Sequence, residues 1–203
     1  MMQRLFAKYQ SIGLITASLL VGAVITFTAL PFLTRLYSVH DFGTYGIALA
    51  VVSVLSTIAN LRLDQALLVA EESDKKSLMF EGAVFSLAIS SVAAVVLSFF
   101  LELSMVLAIV SGVMANTLIQ SLYNYQFAAH REFFCAGLNI FRSLIVVAVQ
   151  LSLPLVLSIS LINSYNVSSV LMVLAVFIYV LKHQLYQVSW NAFKGYKDFI
   201  YSN

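Results

Sequence analysis

Long apolar runs fenced by single charges dominate the chain. Lys8 and Arg35 bracket the first run, Asp41 and Arg62 the second, and Glu81 and Glu102 the third. The fourth ends at His130-Arg131-Glu132. A helix rises about 1.5 Å per residue, so a hydrocarbon core of about 30 Å takes roughly 20 apolar residues. A charge at a helix centre costs about 2.5–3.5 kcal/mol on insertion, so charges are natural markers of span ends. The pattern predicts membrane helices over 12–33, 42–61, 82–101 and 103–129. Residues 143–181 carry no charge, and a single helix of that length would reach about 58 Å. Such a run must turn, and Asn163-Ser164-Tyr165-Asn166 supplies turn-forming residues. The fifth helix is then expected over 141–162 and the sixth over 167–181, extended by a snorkelling Lys182. Pro31 and Pro154 fall inside spans, where neighbouring helices can satisfy the freed carbonyls.

An even number of spans puts both ends on one side, and basic residues say which. Arg4 and Lys8 precede the first helix; Arg62, Lys75 and Lys76 follow the second. Arg131 and Arg142 fall between the fourth and fifth, and Lys182, Lys194 and Lys197 follow the sixth. Every basic residue except Arg35 lies on the side of the termini, which the positive-inside rule assigns to the cytoplasm. Ala66-Leu67-Leu68-Val69-Ala70, followed by Glu71-Glu72-Ser73-Asp74-Lys75-Lys76, is expected to lie on the membrane surface and to end in a solvated charge cluster.

Composition agrees with this pattern. Apolar residues make up 61% of the 203 and charged residues 10%, against about 25% charged in a soluble domain. The expected fold class is all-α and integral to the membrane: residues 1–203 form one six-helix domain in contact with the lipid bilayer. The net charge of +2 is spread between spans, which excludes a nucleic-acid patch. Cys135 is the sole cysteine, so no intramolecular disulfide and no Cys-rich metal site is expected.

Polar side chains within spans are where function concentrates. Asn116, Gln120, Tyr123 and Asn124 follow the spacing of one helix face, wide enough to line a water-filled cavity. Ser53, Ser56, Thr57 and Asn60 share a face of the second helix that continues to Asp64; these small groups fit interhelical packing. The fifth helix adds Gln150, and the first carries Thr16, Thr26 and Thr28. His40, His130 and His183 stand far apart at helix ends, and no nucleophile motif or phosphate loop is present. No enzymatic activity, cofactor or metal is expected.

Three stretches resemble one family. They are Pro31-Phe32-Leu33-Thr34-Arg35-Leu36-Tyr37-Ser38 with Asp41-Phe42-Gly43-Thr44-Tyr45; the run from Ser53 to Ala66, with Asn60-Leu61-Arg62-Leu63-Asp64-Gln65; and His130-Arg131-Glu132-Phe133 with Arg142, joined by Tyr196-Lys197-Asp198-Phe199. The chain resembles the polysaccharide exporters and Wzx-type O-antigen flippases of the MATE-like multidrug/oligosaccharidyl-lipid/polysaccharide superfamily. It departs from the family where Val39-His40 replaces Pro-Glu and where Ile200 replaces a proline.

The resemblance covers the first of the two lobes such proteins have, and implies transfer of a polyprenyl-diphosphate-linked oligosaccharide across the bacterial inner membrane. The missing lobe would be a second chain segment or a homodimer partner. Arginine suits a diphosphate, because its planar fork makes paired charge-assisted hydrogen bonds. Arg62 is the first candidate for that role, then Arg142, then Arg35, each set against a plain topology-setting charge. Asn116, Gln120, Tyr123 and Asn124 would line the sugar passage, and Asp64 is a candidate for ion coupling. An ion-coupled drug exporter of the same superfamily is one alternative, and a non-transporting remnant or helix-packing partner is another.

Overall fold

The computed structural model describes residues 2–60, 63–157 and 159–185, and every regular element among them is helical. Seven helices follow in order: α1 (Met2–Leu36), α2 (Val39–Ala59), α3 (Leu63–Val69), α4 (Glu72–Leu97), α5 (Leu103–Ala128), α6 (Glu132–Leu157) and α7 (Leu161–Lys182). All but α3 contain stretches long and apolar enough to cross a bilayer, beginning at Ile12 in α1. The protein is a multi-pass helical membrane bundle.

Local chemistry sets the joints. Ser38 caps α2: its hydroxyl accepts from the Asp41 amide at 3.2 Å, while the Asp41 carboxylate accepts from the Ser38 amide at 3.0 Å. Such a capping box contributes about 1 kcal/mol. At the end of α5, His130 takes φ 55°, so the Arg131 amide reaches back to the Gln126 carbonyl at 3.0 Å.

α1 begins at Met2 rather than at 12, although its apolar stretch still opens at Ile12, and three further helix starts precede the expectations. α4 begins at Glu72 rather than at 82, so Lys75, Ser77 and Glu81 lie within it and are buried. α6 begins at Glu132 rather than at 141, which carries Arg142 out of the expected loop and into the span. α7 begins at Leu161 rather than at 167, so Asn163-Ser164-Tyr165-Asn166 forms helical turns and the non-helical residues described before it are 159–160. The cause is common to all three. Charged and turn-forming residues mark a span end only where they would face lipid, and here protein neighbours take them up. Ser164 is one case, since its hydroxyl meets the Tyr37 hydroxyl at 3.0 Å. The surface-lying segment also changes. α3 buries Leu63, Ala66 and Leu67 against α4 and α5, leaving Leu68 and Val69 exposed, and Lys75 of the expected solvated cluster is buried.

α5 is the central post, packed against α2, α3, α4 and α7. Leu63, Leu67, Leu78, Leu122, Met172 and Val176 fill the end that carries α3, and Ala48, Val52, Ile109, Val113 and Tyr165 fill the middle. α1 packs chiefly on α6. That pair joins the rest through α7 and through Ala29, Leu33, Tyr37 and Leu161 at the end away from α3.

Candidate functional site

Asn139, Arg142 and Ser143 follow the i, i+3, i+4 spacing of one face of α6. Arg142 stands about 15 Å along the axis from Glu132, well inside the span. Its neighbours on that face tie α6 to α1. The Asn139 amide donates to the Ser18 hydroxyl at 3.1 Å, and the Ser143 hydroxyl donates to the Asn139 carbonyl at 3.2 Å. Gly22 permits this approach, since a Cβ there would lie 2.6 Å from Ser143 Oγ. Beside these contacts a polar hollow of about 220 Å³ opens between the two helices, with Thr26 and Arg142 on its walls.

Across from α6, Asn116 of α5 meets this arginine. Arg142 Nη2 donates to Asn116 Oδ1 at 2.8 Å, and among the described residues no carboxylate pairs with it. The guanidinium has five N–H donors, so one amide partner leaves most of them for a ligand. The Arg142 side chain is exposed. The result is a cation hydrogen-bonded to an amide inside an apolar span. Such a residue marks a ligand path by default, because placing it there is costly.

The α5 stripe divides. Asn116 is half-buried against Arg142, Gln120 is exposed, and Tyr123 stacks on Phe127 while lying beside Asn139. Asn124 turns away: it is buried, and its Nδ2 donates to the Asp64 carbonyl at 2.9 Å, which fastens α3 to α5. Asp64 is half-buried in the first turn of α3. Burial raises its carboxyl above the usual range, and the backbone amide of Gln65 opposes that rise. Arg35 is exposed in the last turn of α1, where a cation complements the helix dipole, and does not join Arg142. Arg62 lies outside the described residues.

Two buried polar residues escaped the sequence reasoning. Glu81 is fully buried in α4 and accepts from Ser77 Oγ at 3.3 Å; taken as a fence between spans, it gave no sign of lying inside one. Gln126 is buried on α5, donates to the Tyr179 hydroxyl at 3.1 Å and has an unsatisfied Oε1. It falls off the spacing of the stripe, and only its presence as a large amide inside a span could have flagged it. Comparison with family models, curated proteins and solved structures found no match.

Proposed function

We propose that the chain is one lobe of a flippase that carries a polyprenyl-diphosphate-linked oligosaccharide across a bacterial inner membrane, with both termini cytoplasmic. The observation that supports this is Arg142: a permanent cation within a span, held by Asn116 and paired with no carboxylate among the described residues. A diphosphate headgroup cannot enter hydrocarbon alone, so a carrier must offer charge and hydrogen bonds at depth. Arginine supplies both as a planar fork, and its attraction strengthens where water is scarce. Asn116 fixes the orientation of the fork. Gln120, exposed, and Tyr123, half-buried, lie along the same stretch of α5 and would offer an amide and a phenol to the sugar hydroxyls of a passing substrate. A second lobe, from another chain segment or a second copy, would close the open side of the passage.

The test is translocation of a polyprenyl-diphosphate-linked oligosaccharide in vesicles containing the full two-lobe assembly. Loss of a charge-assisted hydrogen bond of about 1.5–3 kcal/mol predicts that Arg142→Ala slows transfer roughly ten- to a hundred-fold. Arg142→Lys should retain part of the rate, because charge survives without the fork. Wild-type transfer by Arg142→Ala would defeat the reading.

A further inference from the structure

Arg142 borders two spaces of opposite character. On the α1 side is the polar hollow. On the other side, between α5, α6 and α7, lies a cavity of about 410 Å³ walled by Ile119, Leu122, Phe134, Phe141, Met172 and Val176. That volume lies within the range of small-ligand sites, and methionine with aromatic edges adapts to flexible apolar guests. Gly137 opens onto the same cavity, and a Cβ there would meet nothing within 4 Å. An arginine at the junction of a polar and an apolar compartment matches the boundary between phosphate and hydrocarbon in a phospholipid-like molecule.

The geometry points to the α5–α6–α7 cavity as the slot for the phosphate-proximal hydrocarbon of a polyprenyl phosphate, with Arg142 on the phosphate and the polar hollow receiving the rest of the headgroup. This rests on the reading of the chain as a carrier of a phosphate-bearing lipid, and adds where the hydrocarbon sits. Charge complementarity narrows the occupant to a phosphate-bearing lipid, since a neutral lipid would leave Arg142 unanswered and a free anion would leave the cavity unfilled; the carrier reading makes that lipid a polyprenyl phosphate. Gly137 has a specific part, since its missing side chain keeps the slot open beside the charge.

Equilibrium binding to the full-length protein in detergent micelles tests this, with native mass spectrometry counting retained ligand. The probes are a long-chain polyprenyl monophosphate, the corresponding uncharged polyprenol, and inorganic phosphate. The monophosphate should bind at least about ten-fold more tightly than either of the others. Gly137→Leu should fill the slot and weaken monophosphate binding about ten-fold while melting no lower than wild type. Ala175→Trp, on the α7 wall of the same cavity, should do likewise and serves if the first variant misfolds. Inorganic phosphate binding as tightly as the lipid would overturn the slot, as would unchanged binding in both cavity variants. The flippase reading would survive that result, because its own test is the transfer rate of Arg142→Ala.

Discussion

α5 and α6 are antiparallel neighbours of 26 residues each, and the more apolar of the two is the less buried. In α5 twelve of the 26 residues are buried inside the protein; in α6 three of the 26 are. In water this order would be reversed, because apolar surface would be driven inward. In a bilayer Leu144 or Val156 of α6 gains nothing by leaving lipid, so both stay exposed. What draws helices together is close approach and hydrogen bonding, and α5 brings Ala108, Gly112, Ala115, Thr117, Ser121 and Asn124 to its buried faces. α6 turns its one polar face, Asn139-Arg142-Ser143, toward α1 and α5. One helix therefore organises the bundle, and the other carries a permanent cation on its polar face.

The contrast is sharpest at two glycines. At Gly112 of α5 a Cβ would lie 2.6 Å from the Tyr165 hydroxyl oxygen and 3.0 Å from a Val52 methyl, so Gly112→Ala must displace packed neighbours. The expected loss is about 1–3 kcal/mol, read as a lowered melting temperature in a fixed detergent. Gly112→Ala melting at the wild-type temperature would remove α5 from its role as the packing post. Tyr37→Phe comes next. It deletes the hydroxyl that donates to the Gln150 carbonyl at 2.7 Å and meets Ser164 at 3.0 Å, and should cost about 0.5–1.5 kcal/mol. That loss would show the α1–α6 pair anchored at the end away from α3.

Smaller effects probe the outer surfaces. Gly137→Ala on α6 meets no neighbour and should raise stability by about 0.5–1 kcal/mol through helix propensity alone. Asp64 should give the smallest change. Its folded-state carboxyl is raised by burial, so its proton binds more tightly in the folded protein, and stability is lost as pH rises through that raised value. Asp64→Asn should therefore melt on the order of 1 °C higher at neutral pH. The advantage should shrink as the pH falls toward about 4. An advantage that grew in acid would reverse the assignment.

Much of this architecture is legible in the sequence. Run length and spacing mark six spans, and the short far-side joints near residues 37 and 100 fall where charges predict them. The other joints were harder to place, because a charge reads as a boundary only if its surroundings are lipid. Glu81 and Arg142 both sit inside helices because neighbouring helices surround or partner them. Ser164 reads as a turn residue until Tyr37, far away in the chain, is seen to occupy it. The Asn116–Arg142 pair likewise joins residues from two spans, and spacing along one helix cannot reveal a partner on another. Spacing groups Asn116, Gln120, Tyr123 and Asn124 on one face, but cannot show that Asn116 meets Arg142 while the Asn124 amide serves α3.

If Arg142 serves a headgroup at depth, position 142 must meet water inside the span while neighbouring exposed positions of α6 meet lipid. Arg142→Cys, in a Cys135→Ser background that removes the native thiol, can be challenged with a charged, membrane-impermeant methanethiosulfonate. Leu144→Cys, at a position 49% exposed on another face of α6, is the comparison. Rapid labelling is expected at 142 and none at 144; a cysteine at 142 as inert as one at 144 would contradict the role given to Arg142.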